Sequence, residues 1–565
     1  MRHVMKILKH NGIMVPTYEA KGFNITVDGH KIKLKEKSEQ MAVAWMRRNL
    51  STTIAPPDAV FKKNFMNLFL LQLKQENPEE AFLDDFASRY LANIGNPSPA
   101  NVDCQADEID FEEIKAFICK EKAGKEALTK EEKKKQAEER KVKRLENKEK
   151  YGFAEVDAQK LEIANWTAEP SCLFAGRGDH PQRGKWKEGP SKSDITLNTS
   201  ALTDAEAKKE GWAGAVWEPN KMYIASWKDK LTGKIKYVWF SDTAFLKQNR
   251  EKEKFQKARD LDDKIKMIER HILDNLNNKD EARQKVATVS WLIFAANMRV
   301  GDEKDPDEAD TVGAITLRRE HISFPKNGKI HFDFLGKDSV KWEKDIPEEK
   351  NTTAPPEVIK NLNEYMNDKS KNYLFEGVNS KKVSRFLSEK MPKLTAKVFR
   401  TWKCTSTLED ALKKRQPLEN GPVTKDSPDY LKTYHAKIAN YEVAVVANHK
   451  KKIPPTFDQR LEKKEANLKA LEVQLQERKA VGKKTESLEK RVAKAELDVN
   501  LTKLTKEYNL GTSLKSYIDP AAYVKWAKKV KFDIEKFYPK TLRNKFSWAL
   551  QTSKAQAQAA ECITA

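Results

Sequence analysis

Five residues stand at the ends of predicted elements or on turns, where their side chains could meet in one site: Arg299, Lys337, Arg400, His449 and Tyr517. Two guanidinium groups can each offer paired donors to the non-bridging oxygens of a five-coordinate phosphorus, and an imidazole can donate to the same oxygens. A phenol is a poor nucleophile at its ordinary pKa of about 10, but cations favour the reactive phenolate. A lysine can protonate a departing 5′ oxygen. The set therefore suits cleavage of a phosphodiester through a phosphotyrosine.

Each of these residues also has an ordinary structural role. An arginine or histidine that follows a helix often interacts with the helix dipole, as Arg299 and His449 could. A lysine in a hairpin turn is usually a solvated turn residue, and a tyrosine is usually part of a core. Composition and periodicity alone indicate a basic nucleic-acid-binding protein with a coiled-coil arm.

Two predicted elements must position the first two residues. A helix near 280–299 has apolar residues at helical spacing and is predicted to end at Arg299, with Gly301 just beyond. The stretch "KIHFDFLGKDSVKWEKDI" alternates apolar residues on one face and turns at Leu335–Asp338, which predicts a hairpin with Lys337 at its tip.

Three more helices must position the others. One begins near Thr395 and contains Arg400. Another is predicted to start with Ser427 as N-cap and Pro428 at the first helical position, and to deliver His449 at its end. The pair Asp519-Pro520 should end the short helix that leads to the tyrosine.

Outside these elements, "FNITVDGHKIKL" and "KMYIASWKDKLTGKIKYVWFS" predict hairpins, and a charged run over about 108–150 predicts a solvated helix with a capping box at Thr129. Between 458 and about 506, leucines repeat every seven residues before a turn at Val481-Gly482-Lys483, and an apolar series runs back after it: Leu461, Leu468 and Leu475, then Leu488, Val492, Ala495 and Val499. This pattern predicts an antiparallel coiled-coil hairpin that projects from the body.

The composition restricts the function classes. The 565 residues have a net charge of +22, which indicates a polyanionic partner and salt-sensitive binding. We find no run of about 18 apolar residues, no signal peptide, no GxxxxGK[ST] loop and no metal-binding motif. The five cysteines are scattered and odd in number, which is typical of a reducing compartment.

Seven stretches, in this order, resemble the eukaryotic-type DNA topoisomerase I family, the type IB enzymes. They are "CLFAGRGDHP" (172–181), "MRVGDEKDPDEADTVG" (298–313), "FDFLGKDSV" (332–340), "LTAKVFRTW" (394–402), "VVANHKKKIPPTF" (445–457), "LGTSLKSYIDP" (510–520) and "KFYPKTLRNKFSWAL" (536–550). The resemblance covers nearly the whole chain.

The resemblance implies an α+β multidomain fold that forms a bilobed DNA clamp. The clamp lobe would be 1–244, the mostly helical catalytic lobe 245–452, the coiled-coil linker 453–506 and the small helical C-terminal domain 507–565. It also implies that the enzyme nicks one strand through a 3′-phosphotyrosine, lets the free end rotate and reseals it. The catalytic set carried over is Tyr517, Arg299, Lys337, Arg400 and His449.

The same resemblance implies double-stranded DNA as the partner, with DNA contacts from Arg177, Tyr237, Lys304, Thr311, Asp338, Lys397 and Thr512. Structural roles for the hydroxyls of Thr311 and Thr512 remain equally open. The implied enzyme is a monomer that needs no cofactor, metal, ATP or membrane. It would work inside the cell with the DNA: in the nucleus of a eukaryote, the cytoplasm or nucleoid of an archaeon, or a virion or host cell.

Some positions depart from the family pattern. Ala175 stands where relatives commonly have an arginine, and Ser516 stands where drug-sensitive relatives have asparagine, so we expect weak sensitivity to camptothecin-like poisons. The sequence begins close to the predicted clamp lobe, without the long charged N-terminal tail of eukaryotic family members. An archaeal enzyme, a viral enzyme or a trimmed chain would each explain this.

Two rival functions remain. A tyrosine recombinase uses similar chemistry, but its usual HxxR is replaced here by Lys397-x-x-Arg400, and it lacks a long charged linker. A non-enzymatic chromatin or RNA-binding scaffold would need only the basic surface and the coiled coil.

Overall fold

A computed structural model describes residues 4–95, 108–302, 310–325, 328–348, 353–414 and 423–551. The chain divides into two compact units, the first ending at Lys247 and the second beginning at Gln248. Both units combine helices with small sheets, so the predicted α+β multidomain class is confirmed. None of the helices in the described ranges has both the length and the apolar composition needed to cross a bilayer.

The first unit contains twelve named strands and six helices in its described part. The strands are β1 (Leu8–Lys9), β2 (Asn24–Val27), β3 (His30–Lys33), β4 (Ile109–Asp110), β5 (Phe153–Val156), β6 (Gln159–Glu162), β7 (Cys172–Leu173), β8 (Trp186–Lys187), β9 (Thr196–Asn198), β10 (Gly214–Val216), β11 (Tyr223–Lys228) and β12 (Ile235–Trp239). The helices are α1 (Glu36–Asn49), α2 (Ala59–Glu76), α3 (Phe82–Gly95), α4 (Glu112–Ala127), α5 (Lys130–Tyr151) and α6 (Asp204–Lys209).

Four small sheets organise this unit, with strand orders β3-β2-β4, β1-β5-β6, β10-β9-β11-β12 and β7-β8. The two predicted hairpins are confirmed as the antiparallel pairs β2–β3 and β11–β12. One core forms around α1 to α4 and another beneath β9 to β12.

The charged run forms α4 and α5. Thr129 caps α5, and its hydroxyl and the Glu132 carboxylate make the predicted reciprocal bonds. No residue of α5 is buried within the described structure, which confirms the predicted solvated helix.

The second unit contains most of α7 (Phe245–Asp262), which begins at the boundary. Its other helices are α8 (Ile265–Asp274), α9 (Glu281–Ala296), α10 (Pro356–Asn367), α11 (Ser380–Ser388), α12 (Ala396–Lys413), α13 (Asp429–Val446), α14 (Phe457–Ala480), α15 (Glu486–Leu504), α16 (Leu510–Ser516), α17 (Pro520–Lys529) and α18 (Lys540–Lys545). Its strands β13 (Ile322–Ser323), β14 (Ile330–Gly336) and β15 (Val340–Ile346) form one antiparallel sheet.

Two cores lie in the second unit. The first joins α8 to α11 with the inner face of the sheet, where Ile330, Phe332 and Phe334 are buried as their alternation predicts. The second joins α12 and α13 to the C-terminal helices, and Tyr517 and Tyr523 belong to it. The C-terminal segment is therefore anchored by apolar burial.

Two predicted boundaries are wrong by one to three residues. Helix α9 ends at Ala296, because Asn297 adopts the left-handed conformation that terminates helices (φ 51°). Helix α13 begins at Asp429 with Pro428 as its N-cap, while the Ser427 hydroxyl accepts a bond from the Thr424 amide.

Helices α14 and α15 form an antiparallel pair. Ion pairs join Lys464 to Asp498 at 2.7 Å and Lys479 to Glu489 at 3.0 Å. At the base of this helical hairpin, the Lys451 amide donates to the Glu507 carbonyl at 2.8 Å, so the segments that enter and leave the hairpin lie side by side.

Candidate active site

A cavity of about 130 Å³ in the second unit brings four of the five predicted residues together. Arg299, Lys337, Arg400 and His449 all line it. The rest of the wall is formed by Met298, Val312, Gly313, Phe334, Gly336, Asp338, Val340, Trp342, Ala447, Asn448, Lys450, Asn509 and Thr512.

Arg400 is held rigidly on α12. Its side chain is 5% exposed, Nη1 donates to the Asn297 carbonyl, and Nη2 donates to the Ala447 carbonyl at 2.9 Å. Burial lowers the pKa of this guanidinium, and the neighbouring Arg299 lowers it further. An arginine nevertheless remains charged in a protein, so the cavity contains a desolvated, fixed cation.

Arg299 lies just beyond α9 and is placed by its backbone. Its carbonyl accepts from the Ala314 amide at 2.9 Å, and the next pair repeats this contact between Val300 and Ile315. Gly301 and Gly313 lie back to back here, since a Cβ on either would come within 2.6 Å of the other's Cα. The two glycines allow the strand-like contact that fixes Arg299.

Lys337 occupies the tip of the β14–β15 hairpin, as predicted. Gly336 pairs with Val340, which leaves Lys337 exposed on the turn. Asp338 and Ser339 both have positive φ angles (69° and 55°), so the turn is tight. A long side chain on such a tip can reach over the cavity that it lines.

His449 is 4% exposed and neutral. Burial lowers its pKa to about 3, with further lowering by Arg400 and Arg299. Its Nδ1 lies 2.6 Å from Ser513 Oγ, and its Nε2 lies 3.5 Å from Arg400 Nη2. The imidazole can therefore offer one N–H donor without a charge.

Tyr517 is the C-cap of α16 and is 8% exposed. Its ring packs against two members of the cavity wall: the ring centroid lies 5.2 Å from Arg400 Cζ and 5.2 Å from the His449 ring centroid. The Thr405 hydroxyl donates to the Tyr517 carbonyl at 3.4 Å and accepts from the Asp519 amide at 3.1 Å. The tyrosine is therefore placed beside the cations by both ring and backbone contacts.

The cavity suits an anion with several oxygens. Two guanidiniums, two ammoniums and one imidazole line it, together with the single carboxylate of Asp338. Arg400 Nε is buried and has no hydrogen-bond partner among the described residues, a state that costs about 1–3 kcal/mol. In the described ranges, no cluster of three or more His, Cys, Asp or Glu side chains could hold a metal ion.

The predicted DNA contacts are distributed over both units. Asp338 and Thr512 line the cavity. Thr311 is buried and directly precedes Val312, which is part of the cavity wall. Lys397 is exposed on the first turn of α12. In the first unit, Tyr237 is 39% exposed on β12.

Arg177 is the other predicted contact in the first unit, and it lies between Gly176 and Gly178, whose φ angles are positive. Lys304 lies outside the described residues.

The sequence interpretation did not single out Ser513, Thr405 or Asn297. Ser513 is fully buried and contacts His449, Thr405 holds the tyrosine backbone, and Asn297 supplies a carbonyl to Arg400. Only Ser513 had a usable signal, because it precedes Tyr517 by one helical turn and so shares a helix face with it.

Comparison with known proteins gives three adjoining matches. The family described as "Eukaryotic DNA topoisomerase I, DNA binding fragment" matches residues 4–240, and "Eukaryotic DNA topoisomerase I, catalytic core" matches residues 243–481. "C-terminal topoisomerase domain" matches residues 489–556.

Curated relatives match 96% of the chain. DNA topoisomerase 1 alpha of Arabidopsis thaliana is 32% identical, and DNA topoisomerase 1 of Drosophila melanogaster and of Homo sapiens are each 30% identical. The chain spans 58% of the plant relative, 54% of the insect relative and 70% of the human relative.

Proposed function

Because the chain belongs to the eukaryotic DNA topoisomerase I family, we propose that it relaxes supercoiled double-stranded DNA by the type IB route. In this route the Tyr517 oxygen attacks a backbone phosphorus, and the bond from phosphorus to the 5′ oxygen breaks. The enzyme is then joined to the 3′ end of the nicked strand. The free 5′ end rotates about the intact strand, attacks the phosphotyrosine and reseals the duplex, so both positive and negative supercoils are removed.

The observation that supports this function best is the placement of a tyrosine beside a preorganised cationic cavity. Arg400 contacts the Tyr517 ring, Arg299 and Lys337 add two more cations to the wall, and His449 adds a neutral donor. Catalysis of phosphoryl transfer depends mainly on positioning and on stabilisation of charge. Each fixed donor to a developing oxyanion contributes about 3–4 kcal/mol.

We assign the roles as follows. Arg299 and Arg400 donate to the non-bridging oxygens of the phosphate, and the neutral His449 donates one N–H to the same oxygens. Lys337, at the tip of the β14–β15 hairpin, gives its proton to the departing 5′ oxygen. All four cavity groups act without ATP, a cofactor or a metal ion in this scheme.

The architecture that we propose is a bilobed clamp around duplex DNA. Its parts are the lobe 1–244, the mostly helical catalytic lobe 245–452, the coiled-coil linker 453–506 and the helical C-terminal domain 507–565. The antiparallel α14–α15 pair, whose two ends meet at Lys451 and Glu507, supports the linker assignment.

Within the clamp, the proposed DNA contacts are those named above: Arg177, Tyr237, Lys304, Thr311, Asp338, Lys397 and Thr512. The enzyme would act as a monomer, in the compartment that holds its DNA.

Plasmid relaxation tests the activity. Wild-type protein incubated with supercoiled plasmid, EDTA and no ATP should give relaxed topoisomers, and Tyr517→Phe should give none. Tyr441→Phe is the matched control, because that half-buried tyrosine packs on Tyr508 in the same unit. It should relax the plasmid at the wild-type rate.

The polarity of the linkage needs a labelled duplex. After denaturation, protein should remain attached to the strand labelled at its 5′ end, because the linkage is to the 3′ phosphate. Attachment to a residue other than Tyr517, or failure of the wild type to relax the plasmid, contradicts the proposal.

A further inference from the structure

Ser513 connects the tyrosine-bearing helix to the histidine of the cavity. It is fully buried on α16, and its Oγ lies 2.6 Å from His449 Nδ1. One turn later the Tyr517 amide donates to the Ser513 carbonyl at 2.9 Å. The serine and the tyrosine therefore belong to the same helical turn.

A neutral imidazole exists as two tautomers, and only one nitrogen has the proton in each. His449 is neutral, because burial and two neighbouring guanidiniums lower its pKa to about 3. Its charge state therefore does not decide which nitrogen is the donor, and the partners of the ring must do so. A serine hydroxyl can either donate or accept.

We propose that Ser513 is a positioning residue: its hydroxyl donates to His449 Nδ1 and so keeps the proton on Nε2, which faces Arg400. The inference rests on the proposed function, in which Nε2–H is the donor to a phosphate oxygen. With the proton on Nδ1 instead, Nε2 would present a lone pair to that oxygen and repel it.

The contact between Arg400 and His449 is too weak to impose the opposite tautomer, in which Nε2 would accept from the guanidinium. Arg400 Nη2 lies 3.5 Å from His449 Nε2, which is at the outer limit of a hydrogen bond. The same Nη2 already donates to the Ala447 carbonyl at 2.9 Å. Arg400 therefore does not need Nε2 as an acceptor.

The placement of the nucleophile and the orientation of His449 both depend on α16. Docking of α16 brings Tyr517 beside Arg400 and at the same time brings Ser513 to His449. A detached α16 would leave the imidazole free to exchange tautomers. The tyrosine segment thus supplies the nucleophile and also completes the donor set.

Nuclear magnetic resonance of the full chain, labelled with ¹⁵N-histidine, tests the tautomer. His449 is identified by the signal that disappears in His449→Gln. In the wild type, Nδ1 should show the shift of an unprotonated nitrogen and Nε2 that of a protonated one. In Ser513→Ala the two shifts should move towards each other, as expected for exchanging tautomers, and Ser513→Thr should restore the wild-type pattern.

Single-turnover cleavage of a short duplex at saturating DNA provides the second readout. Ser513→Ala should be about tenfold slower, which is typical of the loss of an outer hydrogen-bond partner. Its dissociation constant for DNA should be unchanged. In a His449→Ala background the same change should have no further effect, because the ring that it orients is absent.

A proton found on Nδ1 in the wild type overturns the inference. An unchanged spectrum and rate in Ser513→Ala does the same, as does a further loss of rate when Ser513→Ala is added to His449→Ala. The tautomer measurement does not depend on activity. A wild type that fails to cleave DNA therefore contradicts the proposed function and leaves the spectrum as a separate test of Ser513.

Discussion

Two carbonyl oxygens, those of Asn297 and Ala447, fix the direction of the Arg400 guanidinium. A lysine at this position would keep the charge, but its single ammonium cannot bind both carbonyls and still offer paired donors to a phosphate. We expect Arg400→Lys to slow single-turnover cleavage about 10²–10³-fold, as for loss of an oxyanion donor.

The control for this change is Arg283→Lys. Arg283 forms a two-pronged ion pair with Glu389, at 3.0 and 2.7 Å, away from the cavity wall. That variant should cleave within about twofold of the wild type, because an exposed ion pair contributes little. Equal rates for Arg400→Lys and the wild type would show that the guanidinium fork is not used.

His449 makes stability depend on pH. Its folded pKa of about 3 lies below the unfolded value of 6.5, so the unfolded state takes up the proton first as the pH falls. Stability is therefore lost between pH 6.5 and 3, by about 1.4 kcal/mol at pH 5.5. For a unit of this size the loss lowers the thermal midpoint by about 2 °C.

The measurement compares the change in thermal midpoint from pH 7.5 to pH 5.5 in the wild type and in His449→Gln. Other histidines with lowered pKa values, such as the half-buried His10 with a pKa of about 4, contribute equally to both proteins. The variant should lose about 2 °C less than the wild type. If both lose the same amount, His449 is already protonated or exposed in the folded state.

The loop after α9 fixes the position of Arg299 through backbone contacts. Gly301 has a φ of +66° and lies against the backbone of Gly313, so an added methyl group would meet backbone atoms that cannot move aside. We expect Gly301→Ala to lower the free energy of unfolding by about 3 kcal/mol or more and to slow DNA cleavage, because Arg299 must shift.

Gly377→Ala separates the cost of a positive φ angle from the cost of the steric clash with neighbouring backbone. Gly377 has a similar φ of +80°, but nothing within 4 Å of an added Cβ. This variant should lose only the backbone term of about 1 kcal/mol and should cleave DNA normally. Equal losses in the two alanine variants would mean that the close approach to Gly313 does not matter.

The sequence predicts elements better than it predicts how they end and what supports them. Alternation and turn residues predicted the hairpin that presents Lys337, because one buried face leaves only one register. Apolar spacing extended α9 to Arg299, yet Asn297 ends the helix through a left-handed conformation that apolar spacing does not encode.

The supporting contacts were missed for a related reason. Thr405 and Ser513 act through hydrogen bonds across separate helices, and no local pattern reports such pairs. Six residues that line the cavity were named from the resemblance, whereas the residues that hold them needed coordinates.

At the scale of the whole molecule, the net charge of +22 predicts binding to DNA that weakens with salt. The logarithm of the binding constant should fall linearly with the logarithm of salt concentration, with about 0.9 units of slope for each phosphate neutralised. If the α14–α15 hairpin lies along the duplex, its exposed lysines contribute to this slope.

Charge reversal in the hairpin measures that contribution. Lys463, Lys469, Lys483 and Lys484 are exposed, and changing all four to glutamate should reduce the slope by about 2–4 units. The cleavage rate at saturating DNA should change less than about twofold, because screened surface charges lie outside the cavity wall.

The opposite change provides the control. Glu472→Lys and Glu477→Lys add positive charge at exposed positions of α14 and should increase the slope. If neither set of substitutions changes the salt dependence of DNA binding, the hairpin lies away from the DNA. A slope that responds together with a large change in cleavage rate would instead mean that the hairpin acts on the tyrosine segment, to which it is joined at Lys451 and Glu507.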